Sequence, residues 1–202
     1  MNSNLTAPSF LHNLRENTSE LHTALESLPI SRQIISHEVS VNDYTLYLSL
    51  MYDVIKDAET NIFTVLTGIV SDLNSRYKHT ILLEDLNTLQ SDKNITANNN
   101  PLSKNLIDKS AAFALGIMYV TEGSTLGGRV ILKNIQVTLG YDENNGARYF
   151  AGYGSSTGSS WKKFLEFMTN YENECNCGAK IIAGANYAFN AIAQHLKENS
   201  SK

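Results

Sequence analysis

Cysteine is scarce in this 202-residue sequence, which contains only Cys175 and Cys177. The two residues are separated by one position, an arrangement poorly suited to a structural disulfide. They also lack the further paired ligands that are typical of a zinc site. We therefore predict two exposed or half-buried thiols without a catalytic role.

A strong charge excess and a long apolar run are also missing. The 16 basic and 20 acidic residues give a formal net charge of -4. Lysine and arginine form no basic stripe, which argues against nucleic-acid binding. No stretch approaches the apolar length of a membrane span. Residues 1–7 lack the basic start and apolar core of a signal peptide. We therefore expect a cytoplasmic protein without nucleic-acid or membrane partners.

The two-residue alternation of strands is absent too, so the chain is predicted to be all-α. Its length and its 42% hydrophobic residues fit one domain over residues 1–202, with 1–7 flexible and 199–202 frayed. Breaks are expected at Pro29, in the polar run 91–101 and at 152–160. The helical patterns cover residues 8–27, 41–73, 78–90, 103–139, 158–174 and 178–198, with a shorter piece near 143–150.

The most informative segment, residues 119–131, has a helical pattern but carries three glycines within six residues. Interior glycines cost about 0.5 to 1 kcal/mol each relative to alanine, so the helix gives up about 2 to 3 kcal/mol in total. Gly123 and Gly127 share a face, with Ser124 and Gly128 beside them. Such a strip of bare backbone suits a flat ligand. Close packing against another helix is the alternative.

The first helix is predicted to begin at Pro8 and Ser9, a proline and a capping hydroxyl. His22 lies beside its apolar stripe and is aligned with Arg15, two turns and about 10.5 Å earlier. That separation resembles the reach from a haem iron to its propionate groups. A neutral imidazole on a stiff helix is what haem iron requires as a proximal ligand. A hydrogen-bonded structural histidine is the alternative.

Three segments, in this order, resemble the bacterial, biliverdin-producing haem oxygenases. Residues 14–26 resemble the proximal helix of that family, with Leu-Arg, then Thr, then His four residues on, then Leu-Glu. Residues 119–131 resemble the distal helix, and residues 150–164 resemble a characteristic C-terminal segment. The resemblance implies a single-domain helical bundle that holds haem between a proximal N-terminal helix and a kinked, glycine-rich distal helix.

The resemblance also implies site residues. His22 is the expected proximal iron ligand, with Glu26 as a possible partner of its other ring nitrogen, one turn on. Gly123 and Gly127 are expected over the distal haem face, and Gly128 beside them is also expected to bind haem. Ser124 is expected beside the dioxygen-binding position, as a catalytic residue together with Gly123 and Gly127.

Further residues are assigned to the propionates and to distal water. Tyr119 and Arg15 are the expected propionate partners, with Arg129 and Lys133 as alternatives. Animal members of the family have aspartate where Ser124 stands, whereas some bacterial members have serine. Because serine orders fewer waters than a carboxylate, backbone carbonyls near Gly123 or the side chains of Asn186 and Asn190 are expected to share the task.

The implied reaction is oxidative cleavage of haem at a meso carbon to biliverdin, ferrous iron and carbon monoxide, with dioxygen and external electrons. Haem is both substrate and cofactor, no separate metal is expected, and the electron donor is a ferredoxin or a flavoprotein reductase. A haem carrier or sensor with the same fold is the alternative. A di-iron oxidase is disfavoured because the sequence contains no Glu-x-x-His. A thiaminase-like hydrolase would need a buried nucleophilic cysteine.

Overall fold

The computed structural model describes residues 9–89 and 99–200 and shows an all-α architecture in those ranges. The expected flexible start at 1–7, most of the polar run 91–101, and residues 201–202 of the expected frayed end lie outside them. Seven α-helices are described: α1 (Phe10–Glu26), α2 (Pro29–Gln33), α3 (Val41–Asp57), α4 (His79–Thr88), α5 (Ala111–Leu139), α6 (Thr157–Cys175) and α7 (Gly178–Asn199).

Helix α1 begins as the sequence predicts. The Ser9 side chain accepts a hydrogen bond from the backbone N–H of His12, which satisfies one of the free donors of the first turn. Helices α6 and α7 also match their predicted ranges closely, and the turn between them has Asn176 in the left-handed region, at φ 48°. Cys175 is exposed there, Cys177 is half-buried, and both are free thiols.

Helix α3 is shorter than the predicted 41–73. It gives way after Asp57 to a π-helical turn, Ala58–Ile62, and a 3₁₀ turn, Phe63–Leu66. Two carboxylates explain the change, because each caps a distant segment. Asp57 accepts the backbone N–H groups of Leu102 and Ser103, and Glu59 accepts that of Lys78 at the start of α4.

Two other predicted helices are also corrected. The helix predicted over 103–139 begins only at Ala111, where the Ser110 side chain caps it by accepting from the backbone N–H of Phe113. The piece predicted near 143–150 is only a 3₁₀ turn, Tyr149–Ala151. A hydrogen-bonded turn at Asp142 and a left-handed Gly146, at φ 80°, occupy the residues before it.

Helix α7 positions the two helices of the site, since it packs against both α5 and α1. It crosses α5 at Gly116 and Gly184, which are close to the opposite backbone. A Cβ atom added at Gly116 would collide with the carbonyl oxygen of Ile181, and one at Gly184 with that of Phe113. Close helix packing at a glycine, the alternative considered for residues 119–131, therefore occurs at Gly116, which lies outside that segment and seven residues before Gly123.

Helix α5 is one uninterrupted helix through its glycines, and the expected kink stays a prediction. Across the described ranges, no helix combines the length and the apolarity needed to span a bilayer. The single-domain boundaries and the cytoplasmic location stay predictions.

Candidate functional site

A cavity of about 920 Å³ lies between α1 and α5. Helix α7 contributes Phe189, Ile192 and Leu196 to it, and α3 contributes Tyr47, Met51 and Val54. Its volume is in the range of small-molecule and cofactor sites, about 300 to 1,000 Å³. Seven of the residues predicted for the site line it: Arg15, His22, Glu26, Tyr119, Gly123, Ser124 and Gly127.

His22 faces this cavity from α1. Its Nδ1 atom lies 3.6 Å from the Oε2 atom of Glu26, and its side chain is 56% exposed. Its ring meets the ring of Phe189 edge to face, with centroids 5.7 Å apart. Because Nδ1 is turned toward Glu26, Nε2 is the ring nitrogen that remains for a ligand in the cavity. Glu26 is therefore the nearby acceptor that helical spacing indicates, at a separation slightly longer than a hydrogen bond, and its role as partner of His22 stays a prediction.

Gly127 and Gly123 face the cavity from α5. A Cβ atom added at Gly127 would have no atom of the described residues within 4 Å, whereas one at Gly123 would be 3.5 Å from the Trp161 ring. Gly127 is therefore open to the cavity, and helix packing does not explain its lack of a side chain. An open backbone surface opposite a histidine leaves room for a flat ligand.

Gly128 does not line the cavity, in contrast to the expectation from sequence. It is buried, and an added Cβ atom would lie 3.0 Å from the carbonyl oxygen of Phe150. Its small size lets the 3₁₀ turn Tyr149–Ala151 approach α5. We therefore remove Gly128 from the candidate ligand-binding residues and assign it to packing.

Ser124 lines the cavity, and its hydroxyl donates a hydrogen bond to the carbonyl oxygen of Thr121, 2.7 Å away. This hydrogen bond to the preceding turn uses the hydroxyl proton and leaves the oxygen free to accept. Asn186 and Asn190, expected to share the ordering of water, are not among the lining residues. Asn190 instead donates to the backbone of Asn186.

Arg15 and Tyr119 are brought together at the cavity. Burial raises the pKa of Tyr119, and the charge of Arg15 and the hydroxyl of Thr18 oppose this shift. The two side chains therefore present a cation and a phenol to the same region, which suits a carboxylate. The alternatives, Arg129 and Lys133, do not line the cavity, and Arg129 donates to the carbonyl oxygen of Gly154.

Comparison with known proteins identifies the family. The family model described as Heme oxygenase matches residues 8–198. The chain belongs to the haem oxygenase family. The resemblance seen in the sequence is therefore confirmed.

The relatives compared with this chain are distant in sequence. Heme oxygenase PigA of Pseudomonas aeruginosa is 34% identical over 90 residues, which is 45% of this chain and 45% of that protein, so the chain spans less than half of this curated relative. The solved structure of a haem oxygenase from Neisseria meningitidis with NO and CO bound has a TM-score of 0.77 at 24% identity, covering 96% of this chain and 94% of that one. A haem oxygenase from Leptospira interrogans has a TM-score of 0.73 at 20% identity, covering 95% and 100%. These likenesses confirm the all-α haem oxygenase fold.

A buried charge network supports the glycine-rich part of α5 in this haem oxygenase chain, and sequence reasoning missed it. Glu122 is 3% exposed and binds Arg76 at 2.8 Å and Lys78 at 2.6 Å. The Tyr153 hydroxyl donates to Glu122 at 2.8 Å, and burial, followed by the charge of Glu122, raises the pKa of Tyr153. The signal in the sequence was Glu122 itself, a single carboxylate within an apolar stretch of α5. Its partners are far apart in the chain, so spacing did not reveal them.

The network joins three segments of the haem oxygenase fold. Arg76 also donates to Asp72 at 2.9 and 3.0 Å, and its guanidinium lies over the Phe164 ring, 5.2 Å from the centroid. The residue before Gly123 is thereby fixed to the segment before α4, to the Tyr153 turn and to α6. Such paired, hydrogen-bonded charges are costly to break singly.

Proposed function

We propose that the protein is a haem oxygenase that cleaves haem at a meso carbon to biliverdin, ferrous iron and carbon monoxide, with dioxygen and external electrons. The observation that carries the proposal is the pairing of His22 on α1 with the open glycine Gly127 on α5 across one cavity. Haem iron needs a proximal ligand, which His22 can supply. A small ligand on the other side of the iron needs space, which Gly127 leaves open.

The residues of the cavity fit haem. One imidazole nitrogen is available as the ligand, the apolar side chains of α3 and α7 match the porphyrin ring, and Arg15 with Tyr119 matches the propionates. Haem, when bound, supplies the redox-active iron and is also the molecule that is cleaved.

The protein side of the mechanism is positioning. His22 would hold the iron through Nε2, and Glu26 would keep the ring oriented through Nδ1. Arg15 and Tyr119 would set the rotation of the ring about the iron, which selects the meso carbon that faces the distal helix. The lack of a side chain at Gly127 and Gly123 leaves space beside the ring edge, and Ser124 offers an accepting oxygen there. The apolar side chains of α3 and α7 would shield the ring from water on the sides that they cover.

The proposal includes a partner that delivers electrons, either a ferredoxin or a flavoprotein reductase. A haem carrier or sensor would use the same proximal residue. Open space at Gly127 suits either function, because a haem protein that carries or senses a small gas also needs room on the distal side, so turnover of the haem-loaded protein distinguishes them.

The test is turnover of the purified chain loaded with haem in air, with a chemical or enzymatic reductant. We expect the Soret band to disappear while a green bilin and carbon monoxide form. A Soret band that persists through repeated reduction would identify a carrier or sensor instead. The His22→Ala variant should lose both haem binding and turnover, whereas His12→Ala, an exposed histidine on the same helix, should keep both.

A further inference from the structure

Tyr149 has a buried hydroxyl group that the mechanism above does not use. The residue is 6% exposed, and its hydroxyl oxygen is buried without a hydrogen-bond partner among the described residues. A buried hydroxyl without a partner is costly, and native proteins rarely leave one unused. The position of this group therefore requires an explanation.

The buried hydroxyl of Tyr149 lies near two residues that line the cavity, Ser124 and Tyr47. Burial raises the pKa of Tyr149, and the Ser124 hydroxyl nearby opposes that shift, while Tyr47 lies close enough to add to it. Both Ser124 and Tyr47 line the cavity. Tyr149 thus keeps its proton at neutral pH and is a potential donor to its neighbour Ser124.

The Ser124 oxygen is a suitable acceptor. Its own proton is donated to the Thr121 carbonyl at 2.7 Å, so its lone pairs remain. No hydrogen bond of ordinary geometry yet joins it to Tyr149. A small rotation of the serine side chain, or one ordered water, would join the two hydroxyls and turn the serine proton toward the cavity.

The fold holds Tyr149 in this position by two devices. The buried Asp85 carboxylate accepts the backbone N–H of Tyr149 at 2.8 Å and that of Arg148 at 3.0 Å. Gly128 has no side chain, which lets Phe150 approach α5 closely. A rigid backbone on both sides of Tyr149 restricts where its hydroxyl can point.

We propose that in the haem-bound protein Tyr149 is a positioning residue that donates a hydrogen bond to Ser124, directly or through one water, and so makes Ser124 a stronger donor to a small ligand on the distal side. Hydrogen bonds in a chain polarise one another, so the serine hydroxyl becomes a better donor when its oxygen accepts. This inference rests on the proposed haem-binding function and adds to it a residue that does not touch the cavity.

The test compares Tyr149→Phe with Tyr44→Phe, a matched control. Tyr44 is also a buried tyrosine, but its hydroxyl already donates to the Gly146 carbonyl at 2.6 Å. In the haem-free protein, Tyr149→Phe should keep or raise the melting temperature, because no existing hydrogen bond is lost. Tyr44→Phe should lower it. A loss for Tyr149→Phe as large as that for Tyr44→Phe would show a structural partner and overturn the proposal.

The second readout is the C–O stretching frequency of the carbon monoxide complex of the ferrous, haem-loaded protein. A distal donor lowers this frequency, so Tyr149→Phe and Ser124→Ala should each raise it, and the double variant should add little to the larger single shift. Tyr44→Phe should leave it unchanged. An unshifted frequency in Tyr149→Phe, or in Ser124→Ala, overturns the proposal. A wild-type protein that forms no such complex overturns the proposed function and this inference together.

Discussion

His22 and Glu26 face each other across one turn of α1, with the Nδ1 atom of His22 3.6 Å from the Oε2 atom of Glu26. The same helix carries a second pair of this kind, in which the Nε2 atom of His12 lies 3.7 Å from the Oε2 atom of Glu16. Of these two pairs, the one formed by His22 and Glu26 lines the cavity, and the one formed by His12 and Glu16 does not. The two pairs have matched spacing and similar exposure. The pair His12 and Glu16, outside the cavity, therefore serves as an internal control for the pair His22 and Glu26.

We predict that His22→Ala loses high-affinity haem binding while the haem-free protein keeps its stability within about 0.5 kcal/mol, because the side chain is half exposed. Haem titration and thermal melting measure the two effects. Added imidazole should restore a six-coordinate spectrum. The control His12→Ala should change neither quantity, and wild-type haem affinity in His22→Ala would rule out His22 as the ligand.

Glu26→Gln should weaken haem binding by roughly tenfold, the lower end of the effect of outer-shell partners of a metal ligand, since this carboxylate is exposed. The iron–histidine stretching frequency of the ferrous protein should fall, because the imidazole becomes less basic. Glu16→Gln is the control. Equal frequencies in Glu26→Gln and wild type would remove Glu26 from the site.

Gly127→Leu and Gly116→Ala should have opposite effects. A side chain at Gly127 enters open space, so the haem-free protein should keep or gain stability through better helix propensity, while bilin formation is blocked. A methyl group at Gly116 meets the α7 backbone and should cost about 1 to 3 kcal/mol. Urea unfolding and bilin yield test both. Normal bilin formation by Gly127→Leu would contradict the distal placement.

Arg15→Gln should reduce haem affinity by roughly two- to fivefold, as expected for one exposed charge pair with a propionate. The effect should shrink at high salt because exposed charges are screened. Arg129→Gln, which loses only a hydrogen bond to Gly154, is the control and should bind haem normally. Equal affinities of Arg15→Gln and wild type at low salt would remove Arg15 from the propionate site.

Asp72→Asn should destabilise the protein at neutral pH by roughly 1 to 2 kcal/mol, the size of hydrogen bonds to a charged group. Hydrogen bonds from Arg76 lower the pKa of Asp72 below its ordinary value of 3.8. A lowered pKa in the folded state means that the contribution is complete above pH 3.8 and is lost as pH falls through the folded value. Urea unfolding of wild type and variant should therefore differ at pH 7 and converge well below pH 3.8. A difference in unfolding free energy that persists well below pH 3.8 would contradict the role of the ionised Asp72. The control is Glu84→Gln, at an exposed pair with Arg148, which should change the unfolding free energy little at any pH.

The sequence was sufficient for the features that depend on local pattern. Helical spacing predicted α1, α6 and α7 closely, and the capping residue Ser9 fixed the start of α1. The same spacing placed Arg15, His22 and Glu26 on one side of α1, because residues three, four and seven apart share a helix face. Three motifs in order were specific enough for the family.

Long-range contacts were invisible to spacing, and the predictions failed where such contacts decide the outcome. Helix α3 ends at Asp57 because that carboxylate caps a segment 45 residues later, at Leu102. Gly128 is a packing residue because Phe150 approaches it, although its neighbour Gly127 faces the cavity. Neither fact is encoded in the periodicity of the helix that carries the residue.

The sequence by itself therefore determined helices α1, α4, α6 and α7, the family, and the face of α1 that Arg15, His22 and Glu26 share. The helices and this face follow from contacts within a few turns. Only the tertiary structure decided which glycine is open, which charges support Glu122 and where the Tyr149 hydroxyl lies. Those properties depend on which distant segments meet. The crossing of α5 and α7 at Gly116 and Gly184, together with the capping by Asp57 and Asp85, brings those segments together.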